Sequence, residues 1–239
     1  DRNPFRIGTV SEDGLMDWKD HGEIPQVHED DLLAEITPGK KGQAGRNVLG
    51  KAIPAPEGKK ARLKVGKGVK ASEDRLKFYA AKGGQPKLSI DKVLSVFSTL
   101  EIDGDVGIET GHVEFDGHIE VRGSVEKGYR IRGESLRAKE ILSEDIDVDG
   151  DVVAIGGIFG AKIKSGGRIR ANHVNKSHLI AVDDVVVRKE IVDSQVDTSG
   201  RCLIDGGTIL YSEVSAKMGV KSGDIGSEAS NASTITVGI

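Results

Sequence analysis

The chain has 239 residues, enough for one long domain or two smaller ones, and with aromatics at only 4% it cannot fill a wide core with rings. A formal net charge of -4 argues against whole-chain attraction to nucleic acid or to an anionic membrane. No run approaches the ~20 apolar residues of a spanning helix, and a single cysteine, Cys202, excludes an internal disulfide and suits a reducing compartment.

The chain opens Asp1-Arg2-Asn3 without Met, which reads as a fragment of a longer protein. Before about Ile90 no long periodicity is present. Asp30 to Ile36 reads as either a short helix or a strand, and Pro38 to Pro54 is dense in turn residues. Short alternating runs follow at Ala61–Val65, Leu76–Ala80 and Leu88–Val96. Residues 1–95 are therefore predicted to form a small mixed-β, glycine-rich domain. Its charge is lopsided between Gly39 and Lys70: there Lys40, Lys41, Arg46, Lys51, Lys59, Lys60, Arg62, Lys64, Lys67 and Lys70 are opposed only by Glu57. One reading is a solvated face balanced by acid elsewhere. The functional reading is a docking patch for an acidic protein surface or a phosphorylated ligand. The absence of aromatics in that stretch argues against single-stranded nucleic acid.

From about Leu100 the chain repeats roughly every 17 residues. Turn residues at Gly117, Gly133, Gly150, Gly167, Asp183 and Gly200 open short strands such as Val152–Ala154 and Ile169–Ala171. The Gly133 coil is irregular, because its apolar pair, Leu136 and Ala138, is slipped by one place. Two further columns keep the same period: Ile108, Val125, Ile141, Ile158, Val174, Ile191, Ile209, and Val113, Ile131, Ile146, Ile163, Leu179, Val196, Val214. Three columns in phase predict three strands per coil. The fold is mainly β, a right-handed parallel β-helix of about seven coils over residues 96–239, with Ser222 to Asn231 as a polar cap. The handedness is read from the uneven coil length. One coil cannot bury its apolar corner alone, but stacked coils join into a continuous core.

Several motifs tempt. Gly45 to Ala52 follows a phosphate-binding loop except at its last position, where Ala52 supplies no hydroxyl for magnesium. Gly66 to Ala71 echoes a dinucleotide fingerprint but precedes a segment too short for its helix, and reads as a hairpin. Asp145, Asp147 and Asp149 open like a calcium loop, yet Gly156 stands where a bidentate glutamate is required. His112 with His118, and His173 with His178, lack the converging ligands of a zinc site and read as solvent-facing. Cys202 lies in an inward column and reads as an inert core thiol. No catalytic residue, cofactor or metal is expected.

The stretch Pro38-Gly39, Gly42, Gly45, Val48, Gly50-Lys51, Ile53-Pro54, then Gly66, Gly68-Val69, followed by glycine-led coils and a closing Gly226 … Thr234-Ile235-Thr236-Val237-Gly238, resembles the flagellar assembly protein A family. The resemblance covers nearly the whole chain. It implies a cytoplasmic bacterial protein, recruited to the flagellated pole, that acts through protein contacts. Members of that family continue into a coiled coil absent here, which again implies a fragment. The expected function is a non-catalytic scaffold or adaptor that binds an acidic or regulatory protein partner through Lys40, Lys41, Arg46, Lys51, Lys59, Lys60, Arg62, Lys64 and Lys67. Binding to nucleic acid and insertion into a membrane are not expected; a homo-oligomer is compatible. The alternatives are a carbohydrate-active β-helix enzyme, which the shortage of aromatic platforms disfavours, and a self-assembling filament.

Overall fold

The computed structural model describes residues 9–10, 16–19, 21–22, 24–39, 42–55, 61–227 and 232–238. Every regular element among them is a strand; there is no helix. Contacts divide the chain into two compact units, Gln26–Ser98 and Thr99–Ile239 with the segment up to Pro25. Against the expected division at residues 95/96, the solenoid unit begins at Thr99 and the start of the chain groups with it. In that segment the Lys19 carbonyl accepts the His112 N–H at 2.8 Å, and Ile24 packs on the solenoid core.

The solenoid is a parallel coil of about eight turns with three faces. Face 1 carries Leu100, Ile119, Leu136, Val152, Ile169, Val185, Cys202 and Val220 in register. Face 2 carries Val106, Val125, Ile141, Ile158, Val174, Ile191, Ile209 and Ile225. Face 3 carries Val113, Ile131, Ile146, Ile163, Leu179, Val196, Val214 and Ile235. Side chains alternate across a strand, so each column points inward and its neighbours outward. Nearly all of these side chains are buried and form one continuous core. Each contributes roughly 1.5–3 kcal/mol of transfer free energy before entropy is counted.

Four details of the sequence reading change. Face 2 starts at Val106, not Ile108, which is 76% exposed. Leu136 and Ala138 are not slipped in space: a register shift between Phe115 and His118 absorbs the odd residue, and Gly133 pairs with Phe115 rather than opening a coil. The count is about eight coils rather than seven. The stretch expected as a cap supplies part of the last coil, with Gly219–Lys221, Asp224–Ile225 and Thr234–Val237 on faces 1, 2 and 3; residues 228–231 lie outside the described residues.

The corner between faces 2 and 3 is polar and buried. Ser177, Ser194 and Ser212 stack there, each hydroxyl donating at 2.7 Å to the carbonyl two residues earlier. Each also accepts a backbone N–H from the preceding coil, those of Ala161, Ser177 and Ser194. The residues just before them, Lys176, Asp193 and Tyr211, hold φ near +50°. At the corner between faces 3 and 1 the coils approach closely. A Cβ on Gly166 would stand 2.2 Å from the Asp149 carbonyl oxygen, so only glycine fits.

The smaller unit is built from hairpins. Leu32–Glu35, Lys77–Ala80 and Val69–Ala71 form one antiparallel sheet. Lys64–Val65, Val93–Phe97 and Gln85–Leu88 form a second, mixed one. Phe78, Ala80, Leu94, Val96 and Val69 make its core. The run read as Leu88–Val96 is in fact a strand end, a turn at Ser89–Lys92 and a new strand, because the Ser89 carbonyl accepts the Lys92 N–H at 2.9 Å.

Candidate protein-interaction site

In the smaller unit, Gly45–Arg46 and Ala52–Ile53 pair as a separate antiparallel hairpin. Its tip is held by one side chain. Asn47 Oδ1 accepts the backbone N–H groups of Leu49 at 3.0 Å and Lys51 at 2.8 Å, while the Asn47 N–H donates to the Lys51 carbonyl. Gly50 sits at φ +77°, a conformation that favours glycine. This explains the motif Asn47-Val48-Leu49-Gly50 chemically, and shows why the sequence only mimics a phosphate loop. The tip presents Val48 at 102% exposure and Leu49 at 88%, with the cations Arg46 and Lys51 exposed beside them.

Of the other residues in the expected docking patch, Arg62, Lys64 and Lys67 are exposed. Lys64 lies on a strand of the mixed sheet, and Arg62 and Lys67 flank that strand, so all three lie outside the hairpin. Lys70 is committed to an ion pair with Asp30. Lys40, Lys41, Lys59 and Lys60 lie outside the described residues. Sequence reasoning singled out the cations but missed the apolar pair between them; the Asn-x-x-Gly spacing was the available signal.

The tempting motifs resolve into structural roles. Gly66–Ala71 leads into an antiparallel hairpin, with Val69–Ala71 paired to Lys77–Ala80. Asp147 and Asp149 are exposed on one strand of face 3 and its corner, whereas Asp145 binds Arg130 at 3.0 Å and Arg132 at 2.5 Å. Burial pushes the Asp145 carboxyl up, but the hydrogen bonds and charges of the two arginines outweigh it and hold it below the usual carboxylate value. His173 contacts Glu190 at 3.0 Å on face 2 and His178 contacts Asp197 at 3.4 Å on face 3, so they do not converge. His118 is bonded to Ser135, and His112 accepts the Arg130 N–H. No group of three or more metal-ligating side chains converges among the described residues. Cys202 is buried on face 1, and desolvation pushes its thiol up to about 12.

Face 1 holds a second surface. Its outward positions run Glu101, Glu120, Arg137, Val153, Arg170, Val186, Leu203 and Lys221. The early coils carry charges that pair: Arg137 lies 3.8 Å from Glu120, and Arg122 3.0 Å from Asp103. From the fourth to the seventh coil three of the four outward positions, Val153, Val186 and Leu203, are apolar, with Arg170 among them, and a concavity of about 720 Å³ opens there.

Comparison with known proteins decides the family. A family model described as the Flagellar Assembly Protein A beta solenoid domain matches residues 98–239, and one described as the Flagellar Assembly Protein A N-terminal region matches residues 6–91. The chain belongs to the flagellar assembly protein A family. Neither the curated proteins nor the solved structures gave a match. The two matched regions lie in tandem, and the hairpin lies within the matched N-terminal region. The family is not a known enzyme family. No helix among the described residues is long and apolar enough to cross a membrane.

Proposed function

We propose that this flagellar assembly protein A chain is a non-catalytic adaptor that captures an acidic protein partner, working in the cytoplasm at the flagellated pole. The observation that carries the reading is the hairpin tip, where Val48 and Leu49 stand in solvent on a turn already locked by Asn47. Two large apolar side chains held outward on an ordered turn lose little conformational entropy on binding. Burying them contributes about 1.5–3 kcal/mol each. Arg46 and Lys51 beside them steer an acidic surface into place and disfavour a basic one. A β-solenoid fold is compatible with binding and by itself implies no chemistry.

The test is affinity capture from bacterial cytosol, followed by titration of the purified partner. Val48→Ser with Leu49→Ser is expected to weaken binding at least tenfold, and Arg46→Glu with Lys51→Glu to slow association and abolish its salt dependence. Both pairs lie outside the core, so circular dichroism should match the parent. A partner bound equally well by both variants would overturn the assignment of the hairpin.

A further inference from the structure

We infer that face 1 of the solenoid, from the fourth to the seventh coil, is a second docking site, which takes an acidic amphipathic segment of a partner protein. Outward positions of a solvated sheet are ordinarily polar, as Glu101, Glu120 and Arg137 are in the first three coils. Here Val153, Val186 and Leu203 occupy the same column, and Ile155 beside them is half-exposed. They floor the concavity described above. Its charged lining is three arginines, Arg168, Arg170 and Arg188, to one aspartate, Asp184.

The arginines are poised rather than spent. In the early coils Arg122 and Arg137 have carboxylates within 4 Å. Among the described residues, Arg170 and Arg188 have none. Arg168 reaches Asp183 only through one terminal nitrogen at 3.7 Å, while its Nε is buried without an acceptor. The accessible part of the Arg168 guanidinium remains available to donate a charge-assisted hydrogen bond to an incoming carboxylate. Asp184, whose Oδ1 accepts the backbone N–H of Arg201 at 2.9 Å, offsets only one of the three cations, and the lining stays net positive.

Size and chemistry select the occupant. Three inter-coil steps of about 4.8 Å give a floor roughly 14 Å long, the span of about ten helical or four extended residues. The apolar floor requires an aliphatic stripe on the ligand, and the arginines require carboxylates along its edge. A nucleic acid would place phosphates over Val153, Val186 and Leu203 without aromatic side chains to stack its bases. This inference stands on observations separate from the hairpin.

The experiment uses the full chain and a dye-labelled peptide of about twelve residues, with leucines at helical spacing and glutamates between them, read by fluorescence anisotropy. Saturable binding is expected, weakened at least tenfold by Arg170→Glu with Arg188→Glu and, independently, by Val186→Ser with Leu203→Ser. Thermal midpoints near the parent's show that each variant is folded. Val48→Ser with Leu49→Ser should leave the affinity unchanged; loss there would place the peptide on the hairpin and overturn the inference. It is equally overturned by no saturable binding, by equal binding of a peptide with lysine for glutamate or serine for leucine, by indifference to the face 1 variants, or by competition from a short single-stranded DNA or anionic vesicles, which would mark a phosphate site.

Discussion

Single residues at the corners show how the coil is closed. Asp193 adopts φ 47°, a conformation that costs a non-glycine residue roughly 1–2 kcal/mol. Ser194 beside it accepts the Ser177 N–H and donates to the Val192 carbonyl, so the turn is held from both sides. Ser194→Ala is expected to destabilise by about 1–3 kcal/mol, because the Ser177 N–H is left buried without an acceptor; Asp193→Gly should change stability little or raise it. Urea unfolding of the two variants checks both. Asp145 makes a pH prediction. Its pKa is lowered in the folded chain, so its contribution is complete above the ordinary carboxylate value and is lost as pH falls through the lowered folded value. The unfolding midpoint should therefore fall in acid below about pH 4, and less steeply in Asp145→Asn. Cys202, buried with its thiol pushed up to about 12, should resist a thiol reagent at pH 8 in the native chain and react once unfolded.

At the scale of elements, the sequence showed more of the solenoid than of the hairpins. Columns such as Ile146, Ile163, Leu179 and Val196 were legible because every coil repeats the same inward position. Ile108 misled because it keeps the period while the backbone around Gly107 and Gly111 turns, leaving Val106 to pair with Val125. The Gly133 irregularity misled for a related reason: the odd residue is absorbed in the partner strand, which a single column cannot reveal. The hairpin at 45–53 was visible as turn chemistry and as charge. Its apolar tip was not, since exposure depends on what does or does not pack over Val48 and Leu49. Asn47→Ala should loosen that tip by removing both side-chain hydrogen bonds, seen as faster amide exchange at Leu49 and Lys51 with the rest of the unit unchanged.

For the whole molecule, two separate cores imply two separable stabilities. Ile163→Ala, fully buried mid-solenoid, should lower the solenoid's stability by about 2–5 kcal/mol. Phe78→Ala should cost the smaller unit about 3–5 kcal/mol, comparable with the total of a unit this small. Hydrogen exchange resolved by segment distinguishes the outcomes: each substitution should loosen its own unit. The sequence by itself determined the β-solenoid, its coil length, its inward columns and the family resemblance, because stacking coils force like residues to recur at one period. Only the tertiary structure decided which cations stay unpaired, that Val48 and Leu49 face solvent, and that the outward column of face 1 changes from paired charges to an apolar floor. Those properties depend on neighbours brought together across coils and turns, and no local pattern in the chain records them.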